Sequence, residues 1–258
     1  MATLGVRGFS ARLDFVNFER ALIAFAHPDD AEFGTAGTIA TWVQSGTEVT
    51  YVCVTDGSAG SNEPDATREE LRRIRHEELL AACETLGVKD CVFLGWVDGE
   101  VEVTLDLRKA LTREVRRVRP DVFVAPDPTR FWDEGRSYIN HPDHRNVGVA
   151  CMAVVNPDSP TRPQFPQLLD EGMEPFEIPN LWIPTYEGEA DTFVDITDTI
   201  GLKIEALRCH KSQIHDMPVD EWIRKRAKER GAARGMEYAE SFRTFDFSRE
   251  HEDREEEE

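Results

Sequence analysis

Short apolar runs alternate with helical patterns along much of this chain, and this alternation constrains the fold more than any other feature. The strand-like runs cover residues 21–26, 49–54, 91–94 and 121–125. The helical patterns between them cover residues 37–43, 67–86 and 105–118. Such alternation is typical of βαβ units with right-handed crossovers. We therefore predict an α/β fold around a mostly parallel sheet.

The chain is long enough for one domain, which we place at residues 1–248. Seven prolines interrupt residues 156–184, so we expect loops and short strands there, of the kind that often form lids or binding loops. Helices follow, one ending near His210 and one at about 219–230. Residues 249–258 hold seven carboxylates and no apolar pattern, which predicts a disordered acidic tail.

The charge balance excludes some partners. With 50 acidic and 30 basic residues, the net charge is −20, which disfavours nucleic acid and anionic membranes. No run approaches the length of a membrane span, and residues 1–20 lack the apolar core of a secretory signal. Five cysteines without a CxxC pair indicate buried reduced thiols. Together these features predict a cytoplasmic protein.

Two histidine–carboxylate clusters carry the chemistry. The first, His27-Pro28-Asp29-Asp30, follows the apolar run 21–26 directly. Ligands in open α/β sheets bind just beyond the carboxyl ends of the strands, and imidazole with carboxylate is a ligand set suited to zinc. Neighbouring side chains point in different directions, so one Asp can hold a metal while the other faces water. Without a partner cluster, simple capping of the next helix would be an equally good interpretation.

The second cluster, His141-Pro142-Asp143-His144, precedes a helix-like run over residues 145–155. Because proline favours the first helical position, His141 is expected near the N-cap and His144 one turn further on, over the same face. His144 can then point at a metal held by the first cluster, with His141 close to a reacting oxygen. The helix N-terminus disfavours imidazolium and Asp143 favours it, so the protonation state of His141 stays open at this point.

The chain resembles the LmbE-like, or PIG-L, family of zinc-dependent de-N-acetylases. Resemblance runs from about residue 20 to 245 in the family's order, and the two histidine motifs are its most specific part. The other matching stretches are Ala31-Glu32-Phe33-Gly34, Gly37-Thr38-Ile39, Val54-Thr55-Asp56-Gly57, Arg75-His76-Glu77-Glu78, Leu86-Gly87-Val88, Lys203-Ile204-Glu205-Ala206-Leu207, His210-Lys211-Ser212-Gln213 and Ala239-Glu240-Ser241-Phe242-Arg243. The resemblance implies a Rossmann-like three-layer sandwich.

The resemblance also implies roles for the motif residues. The zinc ligands would be His27, Asp30 and His144, and three protein ligands leave a position open, as in catalytic zinc sites. Asp29 would be the general base, and His141 would act on the oxyanion or the leaving amine. Asp143 would orient His141.

Other candidates are weaker. Arg130, Trp132 and Tyr138 precede His141 on a loop, 129–140, that is longer than the family's usual glycine-rich one, and they could hold a sugar. Arg75 could also bind substrate, although a surface or ion-pairing arginine is the alternative. His210 is at least as well explained as a packed histidine, and the basic run 224–230 as a solvated helix face.

We predict that the protein removes an N-acetyl group from an N-acetylglucosamine-type sugar or its conjugate, with Zn²⁺ as cofactor. Two alternatives stay open: an amidase acting on a larger thiol or antibiotic conjugate, and a non-catalytic metal-stabilised scaffold. An intact Asp29 and His141 argue against the scaffold, which needs neither. The partner would be a small amino sugar, and the family resemblance allows a homo-oligomer, a trimer or hexamer.

Overall fold

The computed structural model describes residues 18–133, 138–185, 190–232 and 234–248. The predicted tail at 249–258 and the first seventeen residues lie outside this part of the chain. In chain order the elements are β1 (Arg20–Phe25), α1 (Asp30–Gly34), α2 (Ala36–Gln44), β2 (Glu48–Thr55), α3 (Arg68–Leu86), β3 (Asp90–Trp96), α4 (Leu105–Val118), β4 (Val122–Val124), β5 (Trp132–Asp133), β6 (Tyr138–Ile139), α5 (Pro142–Ala153), α6 (Gln167–Asp170), β7 (Asn180–Pro184), β8 (Thr192–Asp195), α7 (Ile200–Arg208), α8 (Lys211–Ile214), α9 (Val219–Ala232) and β9 (Ala239–Asp246).

Seven strands form one sheet in the order β3-β2-β1-β4-β7-β9-β8. The first five are parallel to one another, and β9 is antiparallel to both of its neighbours. The predicted mostly parallel α/β sheet is therefore confirmed. The chain runs from β1 towards β3 on one side and returns to β4 on the other, so the strand order reverses between β1 and β4. Ligands of open α/β sheets bind at such a switch point.

Helices cover both faces of the sheet, which makes the three layers. Successive side chains of a strand point to opposite faces, and β1 follows this rule. Ala21, Ile23 and Phe25 pack with residues of α2 and α3, whereas Leu22 and Ala24 pack with residues of α4 and α5. Burial on both faces explains the continuous apolar run of this strand.

The strands of the C-terminal third were not expected individually. The stretch 156–184 holds α6 and β7, and β8 and β9 follow it. The apolar pattern of β9 is broken by Glu240 and Ser241, which are buried polar residues, and by Arg243 and Thr244 in the half of the strand that is more exposed to solvent. A strand with such a mixture gives little periodic signal.

The ends of α3 and α5 agree with the sequence-based expectations. Thr67 caps α3 through a hydrogen bond from the Glu70 amide, and Gly87 ends the helix with a φ of 78°. His141 is the N-cap of α5, and Pro142 occupies the first helical turn. No helix in the described ranges is long and apolar enough to cross a membrane.

Candidate metal centre and active site

The two histidine clusters meet at the carboxyl end of β1. His27 Nδ1 lies 3.0 Å from His144 Nε2, and Asp30 Oδ1 lies 3.1 Å from the same nitrogen. His27 Nδ1 also lies 3.6 Å from Asp30 Oδ2. Donors about 2.1 Å from one tetrahedral zinc ion are separated by about 3.4 Å, so the spacing suits a shared cation. The structure thus brings the three predicted ligands together across more than a hundred residues of sequence.

In Asp30 and His144, the polar atom that does not face the shared point is hydrogen-bonded to another group of the protein. Asp30 Oδ2 accepts hydrogen bonds from the amides of Ala26 and His27 at 3.1 and 2.8 Å. His144 Nδ1 lies 3.0 Å from Asn140 Oδ1, and the Asn140 amide group is itself anchored on the Arg130 carbonyl. Since an amide oxygen only accepts, His144 carries its proton on Nδ1 and leaves Nε2 for a metal.

The outer nitrogen of His27 faces two carboxylates. Its Nε2 lies 3.2 Å from Asp98 Oδ1 and 3.3 Å from Asp143 Oδ2. Carboxylates in this position hold a ligating imidazole in one tautomer and increase its basicity. Burial opposes the charged form of His27, but Asp143, Asp30 and Asp98 outweigh it and raise its pKa well above the usual value. A metal must displace that proton to bind Nδ1.

Asp143 differs from its expected role. We predicted that it orients His141, but its carboxylate lies 3.9 Å from the His141 ring and closer to His27. It also accepts hydrogen bonds from the amides of Gly99 and Val101. The contact with His141 runs through the Asp143 backbone, whose N–H donates to His141 Nδ1 at 3.2 Å. The reason is that Asp143 lies in the first turn of α5, and its side chain turns towards the loop after β3.

Asp29 lies next to the ligand Asp30 in sequence and contacts α3. Its Oδ2 lies 3.1 Å from Nη2 of Arg75. Burial raises the pKa of Asp29 to about 6 even though the Arg75 charge opposes the shift. A carboxylate with this pKa is a suitable proton acceptor near neutral pH.

Arg75 is buried, with 3% of its surface exposed, so the alternative of a surface arginine is wrong. Its guanidinium donates to the carbonyls of Gly57 and Pro28, in addition to the ion pair with Asp29. Arg75 is therefore an ion-pairing residue that holds the turn carrying Asp29. Its predicted contact with substrate stays a prediction.

His141 lies at the open side of the cluster, with 40% of its side chain exposed and its ring centroid 4.7 Å from that of His27. Burial lowers its pKa, the His27 charge lowers it further, and Asp143 does not compensate. The lowered pKa therefore favours the neutral imidazole over the imidazolium. Because Nδ1 accepts from the Asp143 amide, the neutral ring carries its proton on Nε2, available to a ligand.

The predicted sugar-binding residues lie around the β5–β6 hairpin. Trp132 and Tyr138 are 59% and 46% exposed. Arg130 and Tyr138 line a cavity next to the metal centre, which Trp132 does not. Residues 134–137 of the same loop lie outside the described part of the chain. What these three residues bind remains a prediction.

Three functional neighbours escaped the sequence analysis. Asp98 follows β3 at the same edge of the sheet as His27. A carboxylate directly after a predicted parallel strand is the sequence signal that could have identified it as a site residue. Asn140 immediately precedes the second motif. Glu32 is fully buried, and its two oxygens contact Tyr51 Oη and His210 Nε2, each at 3.1 Å. His210 is accordingly a packed histidine, as one of the two interpretations had it.

Comparison with known proteins agrees with this geometry. The family described as PIG-L, GlcNAc-PI de-N-acetylase, matches residues 22–155. The diacetylchitobiose deacetylase of Thermococcus kodakarensis is 33% identical over 94% of this chain and 89% of its own. A probable N-acetyl-alpha-D-glucosaminyl L-malate deacetylase 2 of Bacillus anthracis is 32% identical over 76% of this chain and 82% of its own. The solved structure of N,N'-diacetylchitobiose deacetylase from Pyrococcus horikoshii, complexed with an inhibitor, superposes with a TM-score of 0.83 at 32% identity, covering 92% of this chain and 88% of that one.

Proposed function

The chain belongs to the PIG-L family of de-N-acetylases, and from this premise we propose that it removes the N-acetyl group from an N-acetylglucosamine-type amino sugar or its conjugate and releases acetate. The observation that carries the proposal is the convergence of His27, Asp30 and His144, with the other polar atom of each group already occupied. A scaffold needs ligands only, whereas this site adds a buried carboxylate and a half-exposed imidazole.

We propose Zn²⁺ as the metal, held by His27, Asp30 and His144, because two imidazoles and one carboxylate suit it. When bound, such an ion acts as a Lewis acid that polarises the amide carbonyl and makes water more acidic. The donor atoms on this chain fit the ion, since His144 Nε2 lies 3.0 Å from His27 Nδ1 and 3.1 Å from Asp30 Oδ1.

The chain's own residues then supply the proton transfers. Asp29 accepts a proton from the attacking water, and Arg75 holds the carboxylate in place for this. His141 donates a hydrogen bond from Nε2 to the oxygen that becomes negative, an interaction worth about 3–4 kcal/mol in comparable sites. The carboxylates of Asp98 and Asp143 contact His27 Nε2, the nitrogen that does not face the metal site, and fix the orientation of the ring. Asp29 then passes the proton it took from water to the nitrogen, the C–N bond breaks, and the amine leaves with the sugar.

Acetate release tests this function. The purified protein is incubated with N-acetylglucosamine and with di-N-acetylchitobiose, with and without a chelator, and both acetate and free amine are measured. We expect equal amounts of both products, a loss of turnover with the chelator and recovery on adding Zn²⁺. Turnover that persists in the Asp29→Asn variant, or in metal-free protein, contradicts the mechanism.

Three further properties belong to the same proposal. Elemental analysis of protein purified without added metal tests zinc against other divalent ions. Light scattering on a size-exclusion column tests the homo-oligomer, a trimer or hexamer. The cytoplasmic location rests on five unpaired cysteines, three of them buried, which suit a reducing compartment. Fractionation of source cells tests that location.

The alternative substrates, larger thiol or antibiotic conjugates, differ from acetylated sugars mainly in the size of the groups on either side of the amide. None of the residues at the metal centre selects for larger groups, so the cavity beside it is the place where such a substrate would be recognised.

A further inference from the structure

A cavity of about 550 Å³ opens beside the metal centre, on the β4 and β7 side of β1. Asp30 and His144 form part of its wall, whereas Asp29 and His141, which also lie in the described part of the chain, do not. The cavity therefore begins at the metal ligands and extends away from the two residues that handle protons. It lies at the switch point of the sheet, where α/β folds bind ligands.

The walls of the cavity are largely apolar. They include Phe25, Phe33, Val124, Pro126, Pro184 and Trp222. The Phe33 and Trp222 rings pack edge to face, with centroids 5.8 Å apart. The guanidinium of Arg226, which also lines the cavity, lies over the Trp222 ring at 3.9 Å. An apolar enclosure of this size is typical of a site for a small organic group.

Several polar groups of the wall already bond to the protein. Asp127 Oδ1 accepts from the amide and the hydroxyl of Thr129. Asn140 is shared between His144 and the Arg130 carbonyl, and the Thr35 hydroxyl donates to the Ala31 carbonyl. Arg130 and Tyr138, predicted to hold a sugar, also lie in this wall. Against the apolar part of the wall, a sugar ring would bury hydroxyls, at a cost in free energy for each one left without a partner. A hydrocarbon chain has no such requirement.

We propose that this cavity receives the acyl side of the scissile amide, so that the enzyme also hydrolyses N-acyl amino sugars with chains longer than acetyl. This inference rests on the proposed function. Asp29 and His141, which handle the proton and the oxyanion, do not line the cavity, whereas Asp30 and His144 do, so a substituent on the acyl carbon can extend past these two ligands into it. A methyl group fills only a small part of 550 Å³, given that one water occupies about 30 Å³ in the liquid.

The reaction is the same hydrolysis with a different acid as product. The amide C–N bond breaks, the acyl carbon gains the oxygen of water, and the nitrogen gains a proton. The products are a carboxylate and the free amino sugar. No co-reactant other than water is required.

Gly34 offers a direct way to fill the cavity. It lies in the wall, and a Cβ added there meets no atom within 4 Å. Gly201 is a matched control, since it also lies in a helix with open space at its Cβ but does not line the cavity. The variants are Gly34→Leu and Gly201→Leu.

The test measures free amine released from glucosamine acylated with acetyl, butanoyl and hexanoyl groups. For the wild type we expect kcat/KM to rise by up to about fourfold per added methylene, since burying one methylene contributes about 0.8 kcal/mol of favourable free energy. In Gly34→Leu the ratio of hexanoyl to acetyl activity should fall at least about tenfold, because the new side chain occupies the space. Gly201→Leu should keep the wild-type ratio.

A binding measurement gives a readout independent of turnover. Calorimetry should show that hexanoate binds the metal-loaded wild type more tightly than acetate, and that Gly34→Leu loses this difference.

The negative outcomes are distinct. Hydrolysis of acetyl but not of longer chains overturns the acyl cavity and leaves the proposed function standing. Absence of hydrolysis with every acyl group, chitobiose included, overturns both. If Gly34→Leu instead loses activity on the disaccharide while keeping its chain-length ratio, the cavity holds a second sugar and the proposal is wrong.

Discussion

Arg75 and Asp29 form a buried ion pair, with Nη2 of the arginine 3.1 Å from Oδ2 of the carboxylate. They come from different elements, the long helix α3 and the turn after β1, and only 4% and 13% of their side chains are exposed. The arginine also holds two carbonyls of the surrounding turns. The residue proposed to accept a proton is thus positioned by a helix some 45 residues away in sequence.

Removing the Arg75 charge should harm catalysis more than substrate binding. We expect Arg75→Met to lower kcat about a hundredfold with a small change in KM, because Asp29 is misplaced. It should also lower the free energy of unfolding by about 3–5 kcal/mol, since the buried Asp29 carboxylate loses its cationic partner. Steady-state kinetics and urea unfolding measure the two effects. A KM increase with unchanged kcat would assign Arg75 to substrate binding instead.

Asp29 and His144 should separate turnover from metal binding. We expect Asp29→Asn to keep its metal and lose 10²–10⁴-fold in kcat, as is typical of a lost general base. His144→Ala should lose most of its metal, because one of three donors is gone. Elemental analysis and acetate release distinguish the two. Asp106→Asn, an exposed position on α4, serves as the control.

Asn140 should influence metal affinity without touching the metal. Its side-chain oxygen lies 3.0 Å from His144 Nδ1 and fixes the tautomer of that ring. We expect Asn140→Ala to weaken metal binding about 10–100-fold, the usual effect of losing such a partner. Competition with a chelator of known affinity measures this. Wild-type affinity in the variant would show that His144 needs no orientation from Asn140.

The pair of His210 and Glu32 should make stability depend on pH. Burial opposes the charge on His210, but Glu32 outweighs it and raises the histidine pKa in the folded protein. This contribution to stability is fully present below the unfolded pKa of about 6.5 and is lost as pH rises through the folded pKa. The difference in unfolding free energy between the wild type and His210→Gln should therefore be largest near pH 5.5 and shrink above 6.5. Denaturant unfolding across pH 5–9 checks this, and a difference that grows with pH contradicts it.

The Lys203–Glu240 ion pair should be a strong structural contact. The two side chains are 2% and 1% exposed, and Glu240 also accepts the amides of Gly37 and Thr38 at the start of α2. We expect Lys203→Met to cost about 3–5 kcal/mol of unfolding free energy, since Glu240 stays buried without its cation. The exposed pair Arg73–Glu77 is the comparison, and Arg73→Met should cost about 0–1 kcal/mol. Equal losses would contradict a special role for burial.

Prediction from sequence succeeded where the signal is local. The apolar run 21–26, the helical pattern over 67–86 and the Pro142 start of α5 depend on neighbours in the chain, and the structure agrees with each. Prediction stayed open where burial is decided by distant elements. The sequence allowed Arg75 to be a substrate-binding, surface or ion-pairing residue, and its buried ion pair with Asp29 depends on how α3 packs over the turn after β1.

The sequence by itself determined the α/β class and the chemistry of the two histidine clusters, because hydrophobic periodicity and donor types are properties of residues and their spacing. Only the tertiary structure decided that Asp143 and Asp98 face His27, that Asn140 orients His144, and that an apolar cavity adjoins the ligands. His27 and Asp98 follow β1 and β3 of the main sheet, whereas Asn140 and Asp143 follow the separate β5–β6 hairpin. Their distances are set by strand order and packing, which no local pattern encodes.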